Sequence, residues 1–171
     1  ATPSLNSMPL DEDNSRVALR SRVPGAASAD VRTLGGRTVV WLDVDASVRK
    51  GALSSQASSM IAAAAVTART KGYPLVGVMG SSGADLAEGF SALHGWGLAA
   101  RALTDCSGVV PTIMIVDGPA VSGPALLLGI ADHVIMTGSA YAFVSGPTMV
   151  ADFTGVLMDN EELGGPDTHA R

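Results

Sequence analysis

An apolar run, a stretch of small residues and a second apolar run follow one another between residues 109 and 130. This order constrains the fold more than any other part of the sequence. Residues 109–116 are mostly apolar, residues 117–125 are mostly small, and residues 126–130 are apolar apart from one glycine. The order is typical of a buried strand, a tight turn and a helix. Nothing more than a plain strand-to-helix connection is needed to explain it.

The same stretch predicts unpaired backbone donors. The first N–H groups of a helix have no partner within the helix and lie at the positive end of its dipole. Pro124 lacks an N–H, but a first-turn position needs none. Ser122 and Gly123 are therefore the predicted donors. Such N–H groups stabilise a developing oxyanion, for example an enolate or a thioester oxygen.

A second stretch of small residues, 80–83, follows the apolar run 75–79. It precedes a helical pattern from Ala84 to about Leu103. Ligands of open α/β sheets bind beyond the carboxyl ends of the strands, so we expect the two turns to face one crevice. Residues near one face of this helix are mainly apolar: Leu86, Phe90, Leu93, Gly97 and Leu98.

The composition excludes several classes of protein. The 171 residues carry a net charge of −5, which predicts no binding to nucleic acid or to a membrane surface. The single cysteine, Cys106, cannot form an internal disulfide, and no cysteine–histidine cluster has metal-ligand spacing. We therefore expect no metal and a reducing, cytoplasmic setting. No apolar stretch is long enough to cross a membrane.

The chain divides into three regions. Residues 1–34 are polar and contain the acidic cluster at 11–13, which is typical of a disordered or loosely docked arm. Residues 35–155 alternate strand-like and helical segments, and residues 156–171 form a polar C-terminal tail. The alternation predicts an α/β fold with helices packed on a largely parallel sheet. The predicted strands are 38–44, 75–79, 109–116, 133–136 and 141–144, and the first predicted helix is 54–71.

Five motifs resemble those of biotin-dependent acyl-CoA carboxyltransferases and occur in the same order. Each is weak alone, but together they support a resemblance from about Gly35 to His169. They are residues 80–89 (similar to Asp-Ser-Gly-Gly-Ala-Arg-x-x-Glu-Gly), 107–111 (Ser-Gly-Val-x-Pro), 118–125 (Gly-Pro-x-Ala-Gly-Gly-Ala), 143–147 (Phe-Ile-Thr-Gly-Pro) and 161–169 (Glu-Glu-Leu-Gly-Gly, then Thr-His).

This resemblance to acetyl- and propionyl-CoA carboxylase β subunits implies a crotonase-like ββα spiral. It also implies that the chain is the N-terminal, acyl-CoA-binding half of such an enzyme, with residues 35–155 as its body and 156–171 as its tail. The implied activity stabilises the enolate of an acyl-CoA while a carboxyl group arrives from carboxybiotin. Biotin is then a cofactor carried on a partner protein. Other implied partners are a C-terminal carboxyltransferase half or chain, and biotin carboxyl carrier and biotin carboxylase subunits, in a homo- or hetero-oligomer.

The resemblance also implies roles for individual residues. It assigns the oxyanion donors to Ser122 and Gly123, as the residues themselves do. Arg49 and Lys50 follow a strand and are candidate anchors for CoA phosphates, although a solvated loop explains them equally well. The implied acyl-CoA contacts in the two small-residue turns are Ser82, Gly83, Ala84 and Gly118.

The chain departs from the family pattern in both turns. Gly80 replaces the family's Asp, Asp85 replaces its Arg, and Ser122 and Pro124 replace a Gly and an Ala. A Phe-Gly-Gly-Ser-like segment is present only as residues 49–52. Two alternatives to a carboxyltransferase subunit therefore stay open. One is a biotin-dependent acyl-CoA decarboxylase subunit, and the other is a catalytically silent scaffold subunit of a carboxylase complex.

Overall fold

A computed structural model of the chain describes residues 25–170. Six strands form one sheet: β1 Ala27–Leu34, β2 Arg37–Val44, β3 Leu75–Ser81, β4 Thr112–Val121, β5 His133–Met136 and β6 Tyr141–Phe143. The helices are α1 Ser55–Lys71, α2 Phe90–Thr104, α3 Gly123–Leu128, α4 Pro147–Thr154, α5 Asn160–Gly164 and α6 Pro166–His169. Single helical turns occur at Arg49–Gly51 and Leu86–Glu88.

The sheet has the strand order β1-β2-β3-β4-β5, and β6 also pairs with β4. Within residues 25–170, β1 and β2 form the only antiparallel pair, and the other strand pairs are parallel. The long strand β4 pairs with β5 along its first half and with β6 along its second half. The predicted α/β fold with a largely parallel sheet is confirmed.

Helix α1 follows from its sequence. Ser54 caps its first turn by accepting a hydrogen bond from the Ala57 N–H, and Gly72 ends it in the left-handed conformation. Its alanine-rich face packs on α2, whose buried residues are also mostly small: Ala92, Gly95, Ala99, Ala102 and Leu103. A side-chain carbon on Gly95 would lie 3.0 Å from the Ser55 Cα. Small residues therefore set a close approach between the two helices.

The apolar residues predicted near one face of the helix 84–103 are exposed. Leu86 and Phe90 are each 90% exposed, and Leu93 is 60% exposed. The helix also begins six residues later than predicted, at Phe90, because Gly89 has a φ of 53° that interrupts the helical backbone. The buried face is the one made of small residues, since only these fit the close contact with α1.

The predicted N-terminal arm is wrong for residues 27–34, which form β1. Gly35 and Gly36 make the left-handed hairpin turn between β1 and β2, and this Gly-Gly pair is the sequence signal that could have revealed the hairpin. Arg32 forms two hydrogen bonds to Asp30 and lies 4.6 Å from the Trp41 ring on β2. The rest of the predicted arm, including the acidic cluster, lies outside the described residues.

The strand predicted at residues 109–116 is shifted along the chain. Residues 109–111 belong to a turn, whereas the strand continues to Val121. Residues 119–121 look like a turn because they are small, but they pair with β6. The pairing partner lies 22 residues later in the sequence (Pro119 with Tyr141), so local composition could not reveal it.

Up to residue 170, the predicted polar tail contains the helices α5 and α6. Asp159 and Glu162 form a reciprocal capping box at the start of α5. A side-chain carbon on Gly164 would overlap the Ala142 carbonyl oxygen, so α5 packs directly on β6. His169 is exposed, but its Nε2 lies 2.9 Å from the same carbonyl oxygen.

We predict that Gly51→Ala is far more destabilising than Gly108→Ala, although both glycines have similar positive φ values of 68° and 71°. The left-handed conformation alone costs alanine about 1–2 kcal/mol. Around Gly108 a side-chain carbon meets nothing within 4 Å, whereas at Gly51 it would overlap the Gly80 carbonyl oxygen. We expect Gly51→Ala to cost more than about 4 kcal/mol in urea unfolding. Equal losses in the two variants would contradict the close backbone contact.

Candidate functional site

The structure brings the two small-residue turns together at the ends of β3 and β4. Ser81 is in register with Ala120 across these strands. A side-chain carbon on Gly83 would lie 3.4 Å from the Val121 carbonyl oxygen and 3.9 Å from the Ser122 Cβ. We call residues 81–84 the 81–84 turn and residues 121–123 the 121–123 turn. They form neighbouring walls, as expected for strand ends in a parallel sheet.

Ser122 is not the donor that the sequence predicted. Its N–H donates a 2.9 Å hydrogen bond to the Phe143 carbonyl oxygen on β6. Its backbone has φ 63° and ψ −119°, a conformation that favours glycine. The prediction that both N–H groups are unpaired is therefore wrong for Ser122, because β6 extends its pairing with β4 by one residue.

Gly123 keeps the predicted property. Among the described residues, no acceptor takes its N–H. A side-chain carbon at this position would lie 2.8 Å from Nε1 and 2.9 Å from Cδ1 of Trp96, so the indole ring packs directly against the glycine. Trp96 Nε1 is buried without a hydrogen bond. Trp96 thus supports the 121–123 turn from α2, which the sequence alone did not indicate.

The 81–84 turn supplies a second unpaired donor. Ser82 N–H donates to the Lys50 carbonyl oxygen at 2.9 Å, and Gly83 N–H makes a long 3.3 Å contact with the Ser81 hydroxyl. No described residue accepts a hydrogen bond from the Ala84 N–H. Ser82 and Ala84 are exposed, whereas Gly83 is buried with a φ of 117° that side chains rarely allow. Gly118 is half-buried within β4 and has a φ of 96°.

Arg49 and Lys50 are in an unusual backbone conformation. Together with Gly51 they form three consecutive left-handed residues, with φ of 50°, 57° and 68°. We call these residues the 49–51 turn. The Ser81 hydroxyl donates a 2.6 Å hydrogen bond to the Gly51 carbonyl oxygen. The 49–51 turn is therefore attached directly to the 81–84 turn.

Charged side chains join the same region. Arg49 Nη2 lies 2.7 Å from Asp85 Oδ2, and the Asp85 side chain is only 5% exposed. The nitrogen–oxygen distance is that of an ion pair, but no N–H points along a hydrogen bond to this oxygen. Asp85 Oδ1 accepts a hydrogen bond from the Ala87 N–H. Asp85 is thus turned towards protein groups.

Glu88 is a further residue that sequence reasoning missed. Its Oε2 accepts a 2.7 Å hydrogen bond from the Ser55 N–H at the start of α1. This backbone hydrogen bond holds the pKa of Glu88 below its ordinary value. Since Glu88 lies 33 residues from Ser55, no local pattern could reveal the contact. The hydrogen bond from Ser55 attaches the segment after the 81–84 turn to the start of α1.

Gly80 lies in a tight space. A side-chain carbon there would lie 3.0 Å from the Asp117 carbonyl oxygen and 3.1 Å from the Ala46 Cβ. A side chain at this position would therefore need its neighbours to move by a few tenths of an ångström.

The other candidate groups do not converge on the two turns. Cys106 is buried, and burial raises the pKa of its thiol. Within residues 25–170, no group of three or more His, Cys, Asp or Glu side chains could hold a metal ion. No helix of the described part is long and apolar enough to cross a membrane.

A cavity of about 790 Å³ lies between α3, the β5–β6 strands and the C-terminal helices. Its lining is mainly apolar and includes Leu128, Met136, Phe143 and Leu163, with His169 at its wall. None of the residues assigned to the candidate site lines it. The cavity adjoins the 121–123 turn at Phe143, whose carbonyl oxygen accepts the Ser122 hydrogen bond, but it is not lined by the predicted donors.

Comparisons with known proteins identify the family of this chain. The carboxyl transferase domain family matches residues 18–171. The chain is 39% identical over 147 residues to the propionyl-CoA carboxylase beta chain of Rhodococcus erythropolis, covering 86% of this chain and 31% of that protein. It is 31% identical over 138 residues to the methylmalonyl-CoA decarboxylase subunit alpha of Veillonella parvula, covering 80% and 27%.

A solved structure gives the same result in three dimensions. The transcarboxylase 12S hexamer, with hydrolysed methylmalonyl-CoA bound, superimposes with a TM-score of 0.82 at 31% identity. The match covers 84% of this chain and 28% of that chain. The chain therefore belongs to the carboxyl transferase domain family and has its crotonase-like fold. It spans about a third of the length of these relatives.

We predict that Ser122→Gly raises the thermal stability of the chain. Glycine relieves a strained backbone that costs about 1–3 kcal/mol, and it loses about 0.5–1 kcal/mol through greater freedom of the unfolded chain. The expected gain of about 1 kcal/mol corresponds to roughly 2–4 °C in a calorimetric melting temperature. Ser82→Gly is the matched control, because Ser82 has no positive φ. A gain in the control, or none in Ser122→Gly, would argue against backbone strain at Ser122.

Proposed function

We propose that this chain is the acyl-CoA-binding portion of an acyl-CoA carboxyltransferase. Membership of the carboxyl transferase domain family supports this proposal. The observation that carries it is the meeting of two turns, each with one unpaired N–H, at Ala84 and Gly123. Thioester chemistry through an enolate needs donors of this kind, because negative charge develops on the thioester oxygen.

The proposed oxyanion donors are the Gly123 N–H and the Ala84 N–H. Gly123 keeps the role that the sequence gave it, and Ala84 replaces Ser122, whose N–H is bonded to Phe143. Gly83 and Gly118, which flank the proposed crevice, carry no side chain, so a ligand can approach the backbone there closely. Ser82 is exposed beside it and is a further proposed contact for acyl-CoA.

We place the CoA phosphates near Lys50. Its ammonium group is on an exposed residue of the 49–51 turn, which is attached to the 81–84 turn. A lysine binds phosphate as a point charge. Biotin on a partner protein would supply the carboxyl group, and no residue of this chain is assigned to hold it.

The exposed apolar residues Leu86, Phe90 and Leu93 support a partner chain. They lie directly after the 81–84 turn, and solvent exposure of large apolar side chains next to a proposed site is typical of an interface. We propose that a C-terminal carboxyltransferase half covers this surface and completes the active site. The biotin carboxyl carrier and biotin carboxylase subunits would then be further partners of the assembled enzyme.

Two alternatives follow from particular observations. The similarity to a methylmalonyl-CoA decarboxylase subunit favours a biotin-dependent decarboxylase, which would use the same acyl-CoA site. The tight space at Gly80 and the reversed charge at Asp85 favour a silent scaffold subunit. Only the scaffold would be indifferent to acyl-CoA.

We predict that the 171-residue chain binds propionyl-CoA. Because substrates of enzymes have KM values of about 1 μM to 1 mM, we expect calorimetric titration to give a Kd in this range. Lys50→Glu should weaken binding, and the effect should shrink at high salt because exposed charges are screened. Lys71→Glu is the control for net charge, since Lys71 lies at the far end of α1. An absence of binding up to about 1 mM would favour the scaffold.

We predict that Phe90→Glu prevents association with a carboxyltransferase C-terminal half and leaves the fold intact. Phe90 is 90% exposed, so its replacement removes no core contact. The measurement is analytical ultracentrifugation of the chain mixed with the C-terminal half of the Rhodococcus erythropolis relative. Val109→Glu, 60% exposed and outside the apolar surface of α2, is the control. Association that survives Phe90→Glu would place the interface elsewhere.

A further inference from the structure

The 49–51 turn and the 81–84 turn are joined along their backbones. Ser82 N–H donates to the Lys50 carbonyl oxygen at 2.9 Å, and Leu53 N–H donates to the Gly83 carbonyl oxygen at 2.8 Å. Asp85 N–H donates back to the Leu53 carbonyl oxygen at 3.0 Å. The two segments therefore run side by side as a short parallel bridge. Any shift of one segment moves the other.

An ion pair between Arg49 and Asp85 also joins the two segments. The Asp85 side chain is 5% exposed, and among residues 25–170 its ion-pair partner is the guanidinium of Arg49, 2.7 Å away. A carboxylate so far from water is costly unless it is paired. The Arg49 side chain is 61% exposed, and its ion pair with Asp85 ties it to the 81–84 turn, with Glu88 as a second nearby carboxylate.

Both members of the ion pair are departures from the family pattern. Asp85 stands where the family has Arg, and Arg49 stands at the first position of a segment where the family has an uncharged Phe. In this chain the two departures carry opposite charges and lie in contact.

We propose that Arg49 is a positioning residue: its ion pair with Asp85 fixes the 81–84 turn, and with it the Ala84 N–H, against the 121–123 turn. This role rests on the proposed function for its consequence in acyl-CoA binding. It removes Arg49 from the phosphate anchors and leaves that task to Lys50. Asp85 is then the partner of Arg49 and does not repel a CoA phosphate.

The test is a charge-exchange cycle on the full chain: Arg49→Asp, Asp85→Arg and the double variant. Amide hydrogen exchange, without ligand, is followed in the segments that contain residues 49–55 and 81–88. Each single variant should speed exchange there by about tenfold, and the double variant should restore it, because contacting residues couple. The distant surface pair Arg69–Asp105, separated by 3.9 Å, is exchanged as the control. Unchanged exchange in the single variants would overturn the proposal.

Propionyl-CoA titration of the same proteins separates positioning from direct contact. If Arg49 positions the turn, the single variants bind about tenfold more weakly and the double variant recovers wild-type affinity. If the double variant recovers slow exchange but stays weak in binding, Arg49 contacts the CoA phosphates and the proposal is wrong. If wild type itself does not bind, the proposed function fails, and hydrogen exchange still decides whether the pair holds the turn.

Neutral variants distinguish a local effect of the ion pair from general misfolding. Arg49→Gln removes the charge but keeps a polar end on a shorter stem, and Asp85→Asn keeps the shape and can still accept the hydrogen bond from the Ala87 N–H. Each should show the same local increase in exchange, with α1 remaining protected. An increase that extends through α1 would indicate general destabilisation and would contradict a local positioning role.

Discussion

The structure depends on the contact between the 49–51 turn and the end of β3. Gly51 lies so close to the Gly80 carbonyl group that no side chain fits between them. The Ser81 hydroxyl then bonds to the Gly51 carbonyl oxygen, and the Arg49–Asp85 ion pair closes the same contact. Because the contact fixes the 81–84 turn, it also fixes where that turn meets the 121–123 turn. The candidate site exists only as long as these backbones stay together.

Small residues serve two different purposes in this chain. In α1 and α2 they allow two helices to approach closely, which leaves the large apolar residues of α2 on the outside. In the two turns they leave the backbone uncovered by large side chains. One composition therefore explains both the exposed apolar surface and the uncovered backbone of the two turns.

The candidate site was only partly predictable. Gly123 and the two turns were found because a strand, a small-residue stretch and a helix leave a local trace in the sequence. Ser122 was misassigned because its N–H is taken by Phe143, 21 residues later. Trp96 and Glu88 were missed for the same reason, since each contacts the site region from a distant part of the chain.

By itself the sequence determined the class of fold, the family, and the start and end of α1, because periodicity, caps and ordered motifs are local signals. It did not determine β1, the length of β4 or which face of α2 is buried. Those were decided by tertiary structure: strand pairing and helix packing add up over many contacts between distant residues, and their sum outweighs local preference. The same holds for charge. Asp85 carries no information about its role until the fold brings Arg49 to it.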